Sequence, residues 1–329
     1  MRAAAARVFE EIRYSGAPPR TPARFLEKAG QKLPFPTLCA GKEKIKYSES
    51  RRMECGWQTG QGRKALAGCG TASRGFQALS KGGGAVLKAV GISDIGRCRK
   101  NNEDAYHITA GDDPVHNIYV VADGMGGCNA GEVASSSAIE TFLEYLRQEK
   151  EHAGSEETLD LMTGAVAAAN EAVYRKSNSA REFAEMGTTL VAAVIREEKL
   201  FVVHVGDSRA YLYRKKMLKP LTTDHSYVME LVKMGSITKE EAAEHPKRNV
   251  ITRAVGIRDS VETDTMIRQV KKGDMLLLCT DGLSGMLRDD EIARILDKRC
   301  SVERKAAVLV DEANKHGGYD NISLILVEI

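Results

Sequence analysis

No stretch of this 329-residue chain approaches 18 consecutive apolar residues, a shortage that excludes a membrane-spanning helix. The N-terminal residues lack the uninterrupted apolar core of a secretory signal. Cysteine is sparse and unpatterned: the seven residues 39, 55, 69, 98, 128, 279 and 300 are odd in number, scattered and never spaced C-x-x-C. That excludes a disulfide framework and a cysteine zinc site, and it fits reduced thiols in a cytoplasmic protein. Cys128 and Cys279 read as small buried fillers. There is no internal repeat, and no arrangement of Ser, His and Asp or reactive Cys marks a side-chain nucleophile. With 43% apolar and 28% charged residues the chain can nevertheless bury a full core.

Aspartate is absent from residues 1–85, which carry 16 Lys/Arg against 6 Glu. This segment is +10 and the remainder −7, so the near-neutral total of +3 joins two unlike parts. The segment holds five of the eight prolines and the only tryptophan, Trp57, and it lacks sustained periodicity. It reads as a basic, largely unpacked extension. A solvated tail is favoured over a nucleic-acid or membrane-surface arm and an arginine-rich targeting peptide, and a stretch upstream of a start at Val86 or Leu87 is a further open reading. Glu10 and Glu11 inside its only amphipathic stretch weigh against the targeting peptide. Basic and aromatic residues do not alternate regularly, so no nucleic-acid partner is expected.

From residue 86 the pattern becomes regular. Strand-like runs cover 117–122, 188–196, 200–206, 209–214, 274–280 and 322–328, with helical periodicity near 130–149, 157–178 and 301–316. Residues 196–199 read as a hairpin loop. Packed helices on a mostly antiparallel sheet, an α+β class, are expected.

Four aspartates stand at the ends of these runs beside glycine or asparagine: Asp123 in VVADGMGG, Asp207 in VVHVGDSRAYLYR, Asp281 in LLLCTDG and Asp320 in GGYDNISLILV. A single Asp-Gly is a turn signal, with the chain veering away after the carboxylate. Four carboxylates converging from distant strand ends would repel one another unless a cation neutralised them. Oxygen donors without thiolate favour Mg²⁺ or Mn²⁺. His204, three residues before Asp207 in an apolar strand, reads as a satisfied core histidine. Upstream, Arg99 lies four residues before Glu103, pairing a planar donor fork suited to phosphate with an acid suited to a metal or its water.

In order, GRCRKNNEDA, VVADGMGG, MGTTLVAAVI, VHVGDSRAYLYR, LTTDHS, RNVITRAVG, LLLCTDGL and GGYDNIS resemble the motif series of the metal-dependent PP2C (PPM) serine/threonine protein phosphatases. The D-G-M-G-G form is similar to the bacterial short type. The resemblance runs from about residue 88 to 329 and makes residues 86–329 the phosphatase domain. It implies a four-layer α-β-β-α fold, with a central antiparallel β-sandwich flanked by helices. It also implies hydrolysis of phosphoserine and phosphothreonine in proteins by a metal-activated water at a binuclear Mn²⁺ or Mg²⁺ centre, opposing a Ser/Thr kinase.

By motif, Asp123 would bridge both metals and Gly124 would give its carbonyl to one. Asp281 and Asp320 would hold the other, while Glu103 would ligate or orient water at the second. Asp207 would share a third metal with Asp281, and Arg99 would hold the substrate phosphate. Residues 224–250 correspond to a mobile flap beside the site. Larger members carry histidine where this chain has Met125, which cannot donate a proton. Another two-metal hydrolase or an inactive binding relative are the rival readings; the complete ligand set disfavours the second.

Overall fold

A computed structural model describes residues 80–82, 85–109, 117–126, 130–149 and 157–329. Cys128 and residues 1–79, and with them most of the expected basic extension, lie outside the described residues.

The strands are β1 (Ser80–Gly82), β2 (Ala85–Asp94), β3 (Asp104–Ile108), β4 (Ile118–Met125), β5 (Gly187–Thr188), β6 (Leu190–Arg196), β7 (Lys199–Val205), β8 (Arg209–Arg214), β9 (Met217–Pro220), β10 (Asp264–Gln269), β11 (Met275–Cys279) and β12 (Ile322–Glu328). One antiparallel sheet runs β1-β2-β12-β11-β8-β9 and the other β10-β7-β6-β4-β3, with β5 pairing β4. Helices α1 (Ala130–Gln148) and α2 (Thr158–Ser177) cover the second sheet. Helices α5 (Asp281–Ser284), α6 (Asp289–Leu296) and α7 (Val302–Lys315) lie on the first. Between them in sequence, α3 (Tyr227–Lys233) and α4 (Lys239–Glu244) form a short helical pair.

The strand sequences explain why the layers stack. Alternate residues of a strand point to opposite faces, and here both faces are covered. Val120 and Ala122 pack with Ala134, Ala138 and Phe142 of α1, whereas Tyr119 and Val121 meet Leu276, Leu278 and Ile325 of the opposite sheet. The central strands are therefore continuous apolar runs rather than alternating ones. Leu277, Leu324 and Leu326 turn outward to Ile292, Leu309 and Val310, giving a third core. The four layers are those implied by the resemblance.

The segments 209–214 and 322–328 are strands over the expected residues, and α1, α2 and α7 fall within two residues of their expected spans. The Asp123-Gly124 reading needs correction. The chain does not turn there: β4 continues to Met125, with Asp104 facing Asp123 and Thr188 facing Gly124 across the ladder. The reason is β5, whose Gly187-Thr188 supplies the pairing that holds the strand extended. Gly124 is needed for close approach, since a Cβ there would strike the Gly131 carbonyl and stand 2.6 Å from that of Glu103.

Candidate metal centre

Antiparallel pairing brings the acids to one end of the sandwich. Cys279, the last residue of β11, pairs with Leu324 near the start of β12 and with Arg209 at the start of β8. Asp281 follows β11, Asp320 precedes β12 and Asp207 precedes β8, so all three lie at that end. On the other sheet, Asp104 opens β3 directly opposite Asp123, and Glu103 is its neighbour in sequence.

The backbone around Asp123 is tied on both sides. Thr189 N–H and the Thr188 hydroxyl donate to the Asp123 carbonyl at 2.8 and 2.9 Å, and Asp123 N–H donates to Thr189 Oγ1 at 2.9 Å. Gly124 N–H donates to the Glu103 carbonyl at 3.1 Å, and Ser135 Oγ donates to the same carbonyl at 2.7 Å. Asn321 pins the Glu103 loop, accepting Glu103 N–H at 2.9 Å and donating to the Ile95 and Asn101 carbonyls, each at 3.0 Å. Arg99 Nη2 donates to Asp320 Oδ2 at 2.7 Å while remaining half-exposed. The structure thus brings all seven of Arg99, Glu103, Asp123, Gly124, Asp207, Asp281 and Asp320 to one chamber.

Asp104 belongs to the same chamber and was not singled out from sequence. It is buried, accepts the Thr280 hydroxyl on Oδ2 at 2.9 Å and leaves Oδ1 without a partner. It follows Glu103 directly and lacks the flanking glycine that marks three of the four aspartates. Asn321 was missed as well, although it follows Asp320; its amide works as a splint, which no charge pattern announces.

The electrostatics are those of a crowded acid cluster. Burial, reinforced by Asp104, Asp281 and Asp207, holds the Asp123 carboxyl well above its ordinary value. Burial, with Asp281 and Asp320 nearby, pushes Asp104 up to about 7. Burial, with Asp281 and Asp224 nearby, does the same to Asp207. Asp281 is raised by burial and by Asp320, and Glu103 chiefly by burial. Asp281 Oδ1, like Asp104 Oδ1, is buried without a hydrogen-bond partner.

Two orphaned carboxylate oxygens in a crowded acidic chamber are what a hard divalent cation would satisfy. Among the described residues, the one trio of His, Cys, Asp or Glu whose ligand atoms all lie within 4.8 Å of one another is His204, His225 and Asp264. The chamber carboxylates are therefore spread more widely than a single compact cage. That spacing suits Mg²⁺-type ions, which take one or two carboxylates each and keep much of their water.

A pH dependence follows. An unfolded aspartate ionises near 3.8, whereas Asp104 and Asp207 in the fold do so only near 7. Their contribution to metal-free stability is complete below pH 3.8 and is lost as pH rises through about 7. Added Mn²⁺, which binds the deprotonated acids, is expected to raise the thermal midpoint more at about pH 7.5 than at about pH 5. Calorimetry with and without chelator checks this, and an equal increment at both pH values contradicts it.

Comparison with known proteins places this chain in a class. The sequence model of protein phosphatase 2C matches residues 97–314. Serine/threonine phosphatase stp of Listeria monocytogenes is 39% identical over 236 residues, covering 72% of this chain and 93% of that protein. The Streptococcus agalactiae serine/threonine phosphatase structure superposes with a TM-score of 0.70 at 34% identity, over 74% of this chain and 99% of that one. The catalytic domain of serine/threonine protein phosphatase PstP, solved with two manganese ions, gives 0.65 at 34% identity, over 74% and 97%. The chain belongs to the protein phosphatase 2C family. It is an enzyme, a protein phosphatase of the type found in these bacteria.

Proposed function

We propose that this enzyme hydrolyses phosphoserine and phosphothreonine in proteins at a binuclear Mn²⁺ or Mg²⁺ centre held by the chamber carboxylates. The observation that carries the reading is the convergence of Asp104, Asp123, Asp207 and Asp281, with Asp104 buried and one carboxylate oxygen each of Asp104 and Asp281 buried without a partner. Manganese in the related PstP structure supports the choice of ion. When bound, such ions lower the pKa of a water, align it with phosphorus and offset charge on the phosphoryl oxygens.

The chain's own residues do the rest. Asp123, which meets acids of both sheets, would bridge the ions, Gly124 would offer a carbonyl, and Asp281 and Asp320 would hold the ion on the opposite side. Glu103, with its backbone pinned by Asn321, would orient water, while Asp207 and Asp281 would hold a third ion. Arg99 keeps guanidinium donors beyond the one spent on Asp320, and a planar fork at the chamber mouth can grip phosphate. Met125 donates no proton, so the leaving alkoxide takes its proton from another group.

In this reading residues 86–329 are the catalytic domain and 1–85 its basic extension by sequence, with Ser80–Gly82 and Ala85 of that segment joining the first sheet through β1 and β2. No helix among the described residues is long and apolar enough to cross a membrane. A cytoplasmic enzyme acting on the targets of a Ser/Thr kinase fits that. The test is phosphate release from a phosphothreonine peptide, a phosphotyrosine peptide and a nucleic-acid substrate, each with Mn²⁺ and with chelator. Release from phosphothreonine with Mn²⁺ alone is expected; undiminished release in chelator, or preference for nucleic acid, contradicts it.

A further inference from the structure

The histidine pair beside the chamber has a built geometry that the metal centre does not use. His204 at the end of β7 stacks on His225 with ring centroids 4.3 Å apart, and both rings are almost fully buried. A carbonyl only accepts, so His204 Nε2, 3.1 Å from the Gly206 carbonyl, carries a proton. Gly206 N–H donates to His225 Nδ1 at 3.1 Å, so that nitrogen is bare and the proton of the neutral ring sits on Nε2, 3.3 Å from Asp264 Oδ2.

This tautomer argues against a cation among His204, His225 and Asp264, despite their mutual proximity. His225 Nε2 has no lone pair to give, and the Arg253 guanidinium already stands 2.9 Å from Asp264 Oδ1 and 3.4 Å from that nitrogen.

The main chain of His225 is used as fully as its ring. His225 N–H donates to the Gly206 carbonyl at 2.9 Å, and its carbonyl accepts Thr252 N–H at 2.8 Å. Positions 225 and 252 are the two feet of the arm that carries α3 and α4, closed by a bridge between Ser226 and Ile251 and by Tyr227 N–H on the Val250 carbonyl at 2.8 Å. Gly206 has φ +106°, and a Cβ there would lie 2.6 Å from Thr189 Cγ2. Thr189 is the residue that ties down Asp123, and Asp207 follows Gly206 directly.

We propose that His225 is a positioning residue that clamps both feet of the 226–251 arm onto Gly206, so that the arm and the Asp207 side of the chamber hold one fixed relation. The arm presents exposed Met234 and Val250 to whatever lies outside. The catalytic consequence rests on the phosphatase reading; the clamp itself does not. A substrate with peptide on either side of its phosphate meets the arm, whereas p-nitrophenyl phosphate has none to offer it.

Two conservative variants separate the contacts. His225→Asn keeps an acceptor at the Nδ1 position for Gly206 N–H, and His225→Gln reaches toward Asp264 without one. In the Mn²⁺-loaded full chain, His225→Gln is expected to raise KM for a phosphothreonine peptide about tenfold with kcat for p-nitrophenyl phosphate changed less than about threefold. Its amide hydrogen exchange across 226–251 should rise about tenfold, and His225→Asn should behave as the parent protein in all three.

Nitrogen-15 imidazole spectra of the unmutated chain supply a reading that needs neither variant to fold. His225 Nδ1 should be unprotonated and hydrogen-bonded. A protonated Nδ1, an Asn variant as impaired as Gln, or a Gln variant with parental KM and exchange each overturns the clamp. Absence of Mn²⁺-dependent activity in the parent protein overturns the phosphatase reading instead and leaves the spectra and exchange to decide the clamp.

Discussion

Asp281→Asn is expected to lower kcat by about a thousandfold, roughly 4 kcal/mol in the barrier, while making the metal-free protein more stable near neutral pH. The two effects have one cause. Burial of its carboxyl and the nearby Asp320 raise the Asp281 pKa, so ionising it in the metal-free protein is unfavourable. An uncharged amide removes that repulsion, and its oxygen can still accept from Asp123. The same charge is what the proposed cation centre requires, and its loss is expected to weaken water activation there. Steady-state kinetics with saturating Mn²⁺, beside thermal melts in chelator, read both signs. A variant with parental kcat, or one less stable than the parent protein in chelator, contradicts the assignment.

Gly124→Ala is expected to cost about 3 kcal/mol or more, which for a domain of this size lowers the thermal midpoint by roughly 6–12 °C. The new methyl group meets the Gly131 and Glu103 carbonyls, which are backbone and cannot rotate away. Relief requires α1 or the Glu103 loop to move, and either displaces a wall of the chamber, so activity falls with stability. Gly235→Ala is the control. Its φ is +71° but nothing lies within 4 Å of a Cβ there, so the loss is confined to the left-handed backbone, about 1 kcal/mol. Equal losses at the two glycines would show that close approach at Gly124 is not what selects glycine.

Much of the fold is legible in sequence for a physical reason. The strands β4, β6, β7, β11 and β12 are buried on both faces, so they stand out as apolar runs without any need for alternation. The strand β10 escaped because it is an edge strand, its six residues DTMIRQ mostly exposed, and its role comes from pairing with β7 rather than from its composition. The short β5 has only two residues, yet it keeps β4 extended past Asp123-Gly124, which local turn chemistry alone would have ended there.

The site divides along similar lines. Asp123, Asp207, Asp281 and Asp320 are visible because each stands at one end of an apolar run. Asp104 sits at a strand start among other polar residues, and only the register of β3 against β4 shows that it faces Asp123. His204 reads from sequence as a satisfied core histidine, and its bond to Gly206 fits that. Its partner His225, in a polar stretch 21 positions later, is brought to it by the return of the chain after β8 and β9. No spacing rule contains that.

The central claim is that the carboxylate chamber holds paired divalent ions. Electron paramagnetic resonance of the Mn²⁺-loaded protein, with stoichiometry from parallel titration calorimetry, tests it without relying on turnover. Two ions per chain, as in the PstP structure, showing the exchange-coupled spectrum of neighbouring manganese that collapses to isolated-ion lines in Asp123→Asn, is the expected result. Uncoupled manganese alone in the parent protein, or a coupled spectrum unaffected by losing Asp123, contradicts it.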